Sequence, residues 1–290
     1  MLENLKSLTH FNPFKRYHVI KVITPTLKPA KHSHVDKIIA LSHRLRDAHV
    51  IWQTAENASL TDNAYTTWKF CVLLHKVLRL GPKEVIHDSS DYFSLIQSSS
   101  IHWEKQNNLT YYCIAAYWKV LYGRIWFLCN YGNFTNNLDC DASHIDDYGE
   151  NCRISLLMDI FDYQEHLNGL LFIVLSALDV QSLINSGDSR QTFFLAQALP
   201  NAVSDSDTLY GYAYLLVKSL RLQLPPATSA DLYTRFSSIY TIVQEIFDQI
   251  SFMQMNFGNL FDIPKFTTTL CLDIPQVALQ EPTAPSLMDC

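Results

Sequence analysis

Residues 66–82 read TTWKFCVLLHKVLRLGP. Trp68, Cys71, Val72, His75 and Leu78 recur at three- and four-residue intervals, the spacing that gathers side chains on one face of an α-helix. Gly81-Pro82 stops the pattern by ordinary chain chemistry, so the stretch predicts a helix from about 66 to 80. A helix with one apolar face needs partners of its own kind, and the flanking sequence supplies them. Upstream, Val35, Ile38, Ile39, Leu45, Ala48, Trp52 and Ala55 predict one long helix, with Ser33 placed to cap its start. Downstream, a shorter helix is expected over 89–97. Leu109, Tyr112, Cys113, Ala116, Val120, Phe127 and Leu128 then define a long one reaching about Cys129. Its aromatic load (Tyr111, Tyr112, Tyr117, Trp118, Tyr122, Trp126, Phe127) reads as core, buried on more than one side.

Residues 130–151 are rich in Asn, Asp, Gly and Ser and read as an acidic surface loop. Helical spacing resumes at Cys152 and runs through Ile154, Leu157, Met158, Phe161 and Glu165 to Leu178. Two more helices are expected at about 189–199 and 205–223, separated by Pro200. Pro225-Pro226 breaks the chain, and Thr228 or Ser229 can cap a last long helix through Leu232, Phe236, Ile239, Tyr240, Val243, Phe247, Ile250 and Met253. Beyond Pro264 the chain is rich in Pro, Thr and Gln and is expected to fray. No alternating strand pattern and no internal repeat appears. The fold class is therefore all-α, a superhelical stack of antiparallel helices.

The chain has 290 residues, enough to bury a full core without metal or disulfide. Its formal charge is −6, distributed unevenly. The first 50 residues hold nine Lys and Arg against three acids, leaving 13 against 25 in the other 240. Six of the eleven histidines also lie in those 50 residues, so the N-terminal end suits an anionic partner. The acidic remainder disfavours nucleic acid. Seven cysteines without a C-x-x-C pair read as buried, reduced thiols. The N-terminus lacks the apolar stretch of a secretory signal, and the most apolar run, 169–180, is too short to span a bilayer. A cytoplasmic protein is expected, in which the sequons at Asn57, Asn108 and Asn133 stay unmodified.

The segment Trp68 to Arg79, followed by Val85-Ile86-His87-Asp88, resembles the signature of the ANTH domain in the huntingtin-interacting protein 1 family of endocytic clathrin adaptors. Lys21-Val22-Ile23, then Lys31, Ser33, His34 and Trp52, fit the upstream pattern of that family. Met158 to Tyr163 and Pro264-Lys265-Phe266 fit the downstream pattern. The resemblance implies an ENTH/VHS-type helical stack over 18–268, between a basic arm at 1–17 and a flexible tail at 269–290. It also implies a phosphoinositide-binding adaptor without enzymatic activity or cofactor, peripheral on the plasma membrane inner leaflet or on clathrin-coated vesicles. Lys21, Lys31 and His34 occupy the family's headgroup positions, and Lys28, His32, Ser33 and Lys37 are auxiliary. Ser33 departs from the family, which carries Lys there.

Phosphatidylinositol bisphosphate membranes are the expected partner, with clathrin and epsin-type ENTH adaptors as further ones. Leu287-Met288-Asp289 resembles the start of the family's clathrin-binding box, and Asn12-Pro13-Phe14 spells a tripeptide that EH domains bind. Longer members of the family add a coiled coil and an actin-binding module, which link them to actin cytoskeleton organisation. Direct actin binding is not expected of this chain. Two other readings stand beside this one. A helical scaffold could use its basic end to meet an acidic protein without lipid. His87-Asp88 could be the dyad of an HD-type phosphohydrolase, a fold that needs further His and Asp ligands converging on one metal. His75, on an apolar face, reads as a hydrogen-bonded core residue.

Overall fold

A computed structural model describes residues 13–178, 190–257, 262–264 and 266. All regular structure among them is helical: α1 (Pro13–Val22), α2 (His32–Leu45), α3 (His49–Asn57), α4 (Ala64–Leu80), α5 (Glu84–Ser90), α6 (Phe93–Glu104), α7 (Leu109–Asn130), α8 (Ala142–Asp146), α9 (Glu150–Ala177), α10 (Arg190–Ala196), α11 (Leu199–Leu220) and α12 (Pro226–Phe257). The hairpin of α1 and α2 packs on α4, α4 on α7, α7 on α6 and α9, and α9 on α11 and α12. α4 lies deep in this stack, with Trp68, Phe70, Cys71 and Leu74 fully buried. Its sequence pattern is satisfied on nearly every side. Asn63 caps α4 by accepting the Thr66 amide at 3.1 Å. Gly81 ends it, because a Cβ there would stand 2.5 Å from the Val77 carbonyl oxygen.

Several boundaries differ from the sequence reading. The helix expected through Ala55 is two helices: Arg46 takes a left-handed conformation (φ 55°) and sends its amide back to Ser42. The Ala48 amide then donates to Asp88 Oδ2 at 2.9 Å, which fixes the bend. The start of α2 is capped by Lys31 and not by Ser33. The Lys31 carbonyl accepts from His34 and Val35, so the first turn begins at His32. The helix expected over 89–97 breaks between α5 and α6, where Trp52 stacks on Tyr92 (4.4 Å between centroids). Pro200 does not separate two helices; it sits in the first turn of α11, where a missing amide costs nothing. For the same reason Pro226 itself opens α12, with the Ser229 amide bonded to Pro225, and neither Thr228 nor Ser229 is the cap.

The loop at 130–151 is only partly a surface loop. Phe134 and Leu138 are buried, the Tyr212 hydroxyl accepts the Cys140 amide at 2.7 Å, and α8 forms within it. Cys71 and Cys113 are buried as expected, but Cys129 and Cys140 are half-buried and Cys152 is exposed. Trp52, Trp68, Tyr117 and Trp118 are core, whereas Trp126, 47% exposed, faces outward beside Tyr122 and Phe93. No helix among the described residues is long and apolar enough to cross a membrane. Past α12, Phe266 stacks on Phe247 and the Ile263 carbonyl accepts from Gln254, which folds the chain back against α12.

The interior holds one concentrated polar group. Asp205 of α11 is fully buried and accepts from Tyr163 of α9 (2.7 Å), His75 of α4 (2.9 Å), Arg79 of α4 (2.5 Å) and Arg124 of α7. The His75 ring donates from Nε2 to Asp205 and accepts at Nδ1 from the Tyr117 hydroxyl at 3.2 Å, so the neutral imidazole satisfies both ends. Four helices are thus tied at a single carboxylate.

Candidate anion-binding site

The site forms where α1 runs into α2 through the loop at 23–31. Val19 and Val22 bury one face of α1, with Ile23 buried just past its end, which leaves Tyr17 and Lys21, one turn apart, on its outer side. The Lys21 ammonium lies 5.5 Å from the centre of the Tyr17 ring, a cation–π contact that steers it toward α2. His34 of α2 meets this surface: its Nδ1 is 2.9 Å from Nδ1 of His18, and its ring stands edge-on to Tyr17 at 6.0 Å. Partial burial holds the His34 pKa below its ordinary value, and repulsion from His18, Lys37, Lys31 and Lys21 lowers it further. Those same groups mark out the cluster. The acid next in sequence, Asp36, acts on Lys76 of α4 and is not among the groups that perturb His34.

The backbone adds to the field. Lys31 caps α2 without any side-chain hydrogen bond to the first-turn amides. The amides of His32 and Ser33 therefore lack the side-chain acceptor that normally closes a helix start. Such an end carries partial positive charge and donors directed at an anion. The loop is held from below by Lys69, nearly buried, whose ammonium donates to the Thr24 carbonyl at 2.9 Å and to Thr26 Oγ1 at 3.2 Å. Burial without an acid partner lowers its pKa. The WKF segment thus positions the loop that carries the site.

Of the residues picked from sequence, Lys21, Lys31, His34 and Lys37 come together around one surface. Ser33 is exposed on the first turn of α2. Lys28 is exposed in the loop. His32 lines a cavity of about 330 Å³ between the loop, Val72 and Lys76 of α4, and Phe193 of α10. Leu287, Met288 and Asp289 lie outside the described residues, as do Asn12 and Lys265. Sequence reading missed His18 and Tyr17. Their spacing to Lys21 would have found them had 13–22 been read as a helix opened by Pro13. The His87-Asp88 pair gathers no ligand set. Asp88 is engaged by the Ala48 amide, and no group of three or more His, Cys, Asp or Glu side chains among the described residues could hold a metal.

The family model for the ANTH domain matches residues 17–269. Huntington interacting protein related 1 of Caenorhabditis elegans is 27% identical over 252 residues, 85% of this chain and 26% of that protein. Huntingtin-interacting protein 1 of Homo sapiens is 27% identical over 248 residues, 84% of this chain and 24% of that protein. The chain therefore spans about a quarter of the length of these curated relatives. Among solved structures, the ENTH domain from epsin-2 in complex with phosphatidylinositol 4,5-bisphosphate superposes with a TM-score of 0.72 at 16% identity, covering 87% of this chain and 96% of that one. The endocytic adaptor complex AENTH matches with a TM-score of 0.66 at 16% identity, over 87% and 97%. At this identity the two structures establish the helical stack.

Proposed function

From the premise that this chain belongs to the ANTH domain family, we propose that it is a phosphoinositide-binding adaptor module of endocytosis, peripheral on the membrane and without catalytic activity. The observation that carries this reading is the convergence of Lys21, Lys31, Lys37 and His34 at a helix start that no side chain caps. An inositol bisphosphate headgroup presents several negative charges to a shallow surface, and ammonium groups, a ring N–H and free amides answer them together. Lys28, His32 and Ser33 flank that surface. The epsin-2 ENTH domain, a structural neighbour, is bound to this lipid, which supports the same ligand class here. Clathrin and epsin-type ENTH partners belong to the same proposal, supported by the family and by the AENTH complex as a neighbour.

The mechanism is electrostatic. Each basic group close to an anionic surface contributes about 1 kcal/mol and is screened within a Debye length, so binding weakens with salt. A single module holds the membrane modestly, and stable recruitment needs a second contact. Co-sedimentation with phosphatidylcholine liposomes, with and without phosphatidylinositol bisphosphate, tests this at two salt concentrations. Wild type is expected to bind only the phosphoinositide liposomes, and the double variant Lys21→Glu, Lys31→Glu to lose that binding. Equal retention of the double variant on the lipid would place the site elsewhere. Indifference of wild type to the lipid would favour the scaffold reading.

A further inference from the structure

We infer that His18 and His34 act as one anion-binding unit, a bis-imidazole that presents two outward N–H donors to a phosphomonoester and takes up a proton as it does so. The inference rests on the phosphoinositide reading and adds a ligand, His18, and a basis for selectivity. It begins from the 2.9 Å contact between the two Nδ1 atoms. Two ring nitrogens at that distance share one hydrogen: one ring donates and the other accepts through its lone pair. The accepting ring is neutral and carries its proton on Nε2. The donating ring can hold a second proton on its own Nε2 without breaking the contact. Singly charged, the pair keeps its geometry and turns two Nε2–H groups outward; doubly charged, the contact becomes repulsive.

In the free protein the surroundings oppose that extra proton. The charged groups that act on His34 besides His18 are Lys21 from α1 and Lys31 and Lys37 from α2 and its cap, and the Tyr17 ring stands beside both imidazoles. Asp36, the nearby acid of α2, acts on Lys76 of α4 and is not among the groups that perturb His34. Arg16 lines a separate groove with Ile20 and Thr54. No acid is within this set, and His34 is held below its ordinary pKa first by partial burial and then by these like charges. An arriving anion reverses the balance. A phosphomonoester carries close to two negative charges near neutral pH and offers three acceptor oxygens, whereas a phosphodiester carries one charge. The dianion favours the proton on the pair more strongly, so the unit discriminates between phosphoinositide and ordinary anionic lipid. It also supplies, at the moment of binding, the positive charge that Ser33 does not.

The experiment compares wild type, His18→Ala and His18→Lys on phosphatidylcholine vesicles containing either phosphatidylinositol bisphosphate or phosphatidylserine at matched surface charge. Affinities are measured from about pH 6 to about pH 8, the window in which imidazoles titrate. Proton uptake is counted by titration calorimetry with inositol trisphosphate in two buffers of different ionisation enthalpy. The phosphates of the ligand titrate in the same range, so the difference between wild type and variant is the quantity read. Wild type is expected to lose about fivefold in affinity for the phosphoinositide vesicles across the window, the worth of one basic group at a membrane surface. His18→Ala is expected to lose most at the acid end, to show a flattened profile with less proton uptake, and to discriminate less against phosphatidylserine. His18→Lys restores acid-end affinity at every pH without the proton uptake.

Wild-type binding with the same proton count and the same pH slope as His18→Ala would overturn the inference and leave the phosphoinositide reading standing. Failure of wild type to bind either vesicle at any pH would remove both. Thermal unfolding of His18→Ala at the wild-type temperature excludes a folding defect as the cause of its loss.

Discussion

His75 and His34 are the same residue type, less than 42 positions apart in one chain, and the fold treats them in opposite ways. His75 is fully buried among Asp205, Arg79, Arg124, Tyr117 and Tyr163, where two guanidiniums share one carboxylate and each ring nitrogen of His75 has its partner. His34 stands half-buried among His18, Lys21, Lys31 and Lys37, and no acid is among the groups that perturb it. The interior group is closed: it ties helices together and offers nothing to a ligand. The surface group is open, a concentration of like charge that an external anion would relieve. Compensation, more than residue type, separates structural charge from functional charge in this molecule.

Breaking the interior group gives the largest expected effect. Asp205→Ala leaves Arg124 fully buried without its carboxylate and removes the common acceptor of α4, α7 and α9. Loss of one partner from a buried pair costs about 3–5 kcal/mol, a large part of the stability of a single domain. Urea unfolding is expected to show that loss, and a change below about 1 kcal/mol would mean that the network is not the tie it looks to be.

Acid sharpens the same contrast with a smaller effect. Burial holds His75 at a pKa of about 4 against an ordinary 6.5, although Asp205 pulls the other way. The unfolded chain therefore takes up this proton first. The contribution of His75 to stability is full above about pH 6.5 and falls as pH drops toward about 4, by at most about 3 kcal/mol. Asp205 is held well below the usual carboxylate range by Arg124 and His75 against its burial, so its contribution is lost only at still lower pH. Chemical denaturation as a function of pH is expected to show a decline through that first window in wild type. His75→Gln, which can still donate to Asp205 but cannot titrate, is expected to be flat there. An equally steep decline in the variant would assign the acid sensitivity to other groups.

Much of this contrast was legible in the sequence, for reasons that can be named. The periodicity of α4, α7 and α9 was clear because these helices are buried and their apolar positions repeat over many turns. The placement of His75 on an apolar face was enough to mark it as a core residue. Asp205 was not legible as its partner, since 130 residues separate the two and only the stacking of α4 on α7 and α9 on α11 brings them together. Boundaries failed where tertiary contacts decide them. Nothing local announces that Arg46 turns left-handed or that Lys31 caps α2. At the surface, Lys21, Lys31, His34 and Lys37 were found through their family pattern and their charge, but His18 was not. Its significance lies in a contact between two helices, and the apolar residues of α1 do not gather on one face: Val19 and Val22 are buried while Tyr17 and Ile20 are exposed.

The smallest expected effect lies on the one position where the open cluster departs from its family. Ser33 is exposed in the first turn of α2, between His32 and His34, where its hydroxyl neither caps the helix nor joins the cluster. Ser33→Lys places an ammonium beside the uncapped amides, and two consequences follow with opposite sign. The added charge is one more basic group at the membrane surface, worth about 1 kcal/mol, or about fivefold in affinity for phosphoinositide vesicles. It also repels the imidazolium form of His34, which Lys31 and Lys37 already disfavour. Binding by the variant is therefore expected to be tighter at alkaline pH and less dependent on protons, with helix stability lowered slightly because a cation sits at the positive end of the macrodipole. Vesicle affinity measured at about pH 6 and about pH 8 separates the two terms, since only the repulsion changes with the protonation of the histidines. A gain equal at both ends would show that position 33 acts independently of the imidazoles, and no gain at either end would show that the headgroup does not reach the first turn of α2.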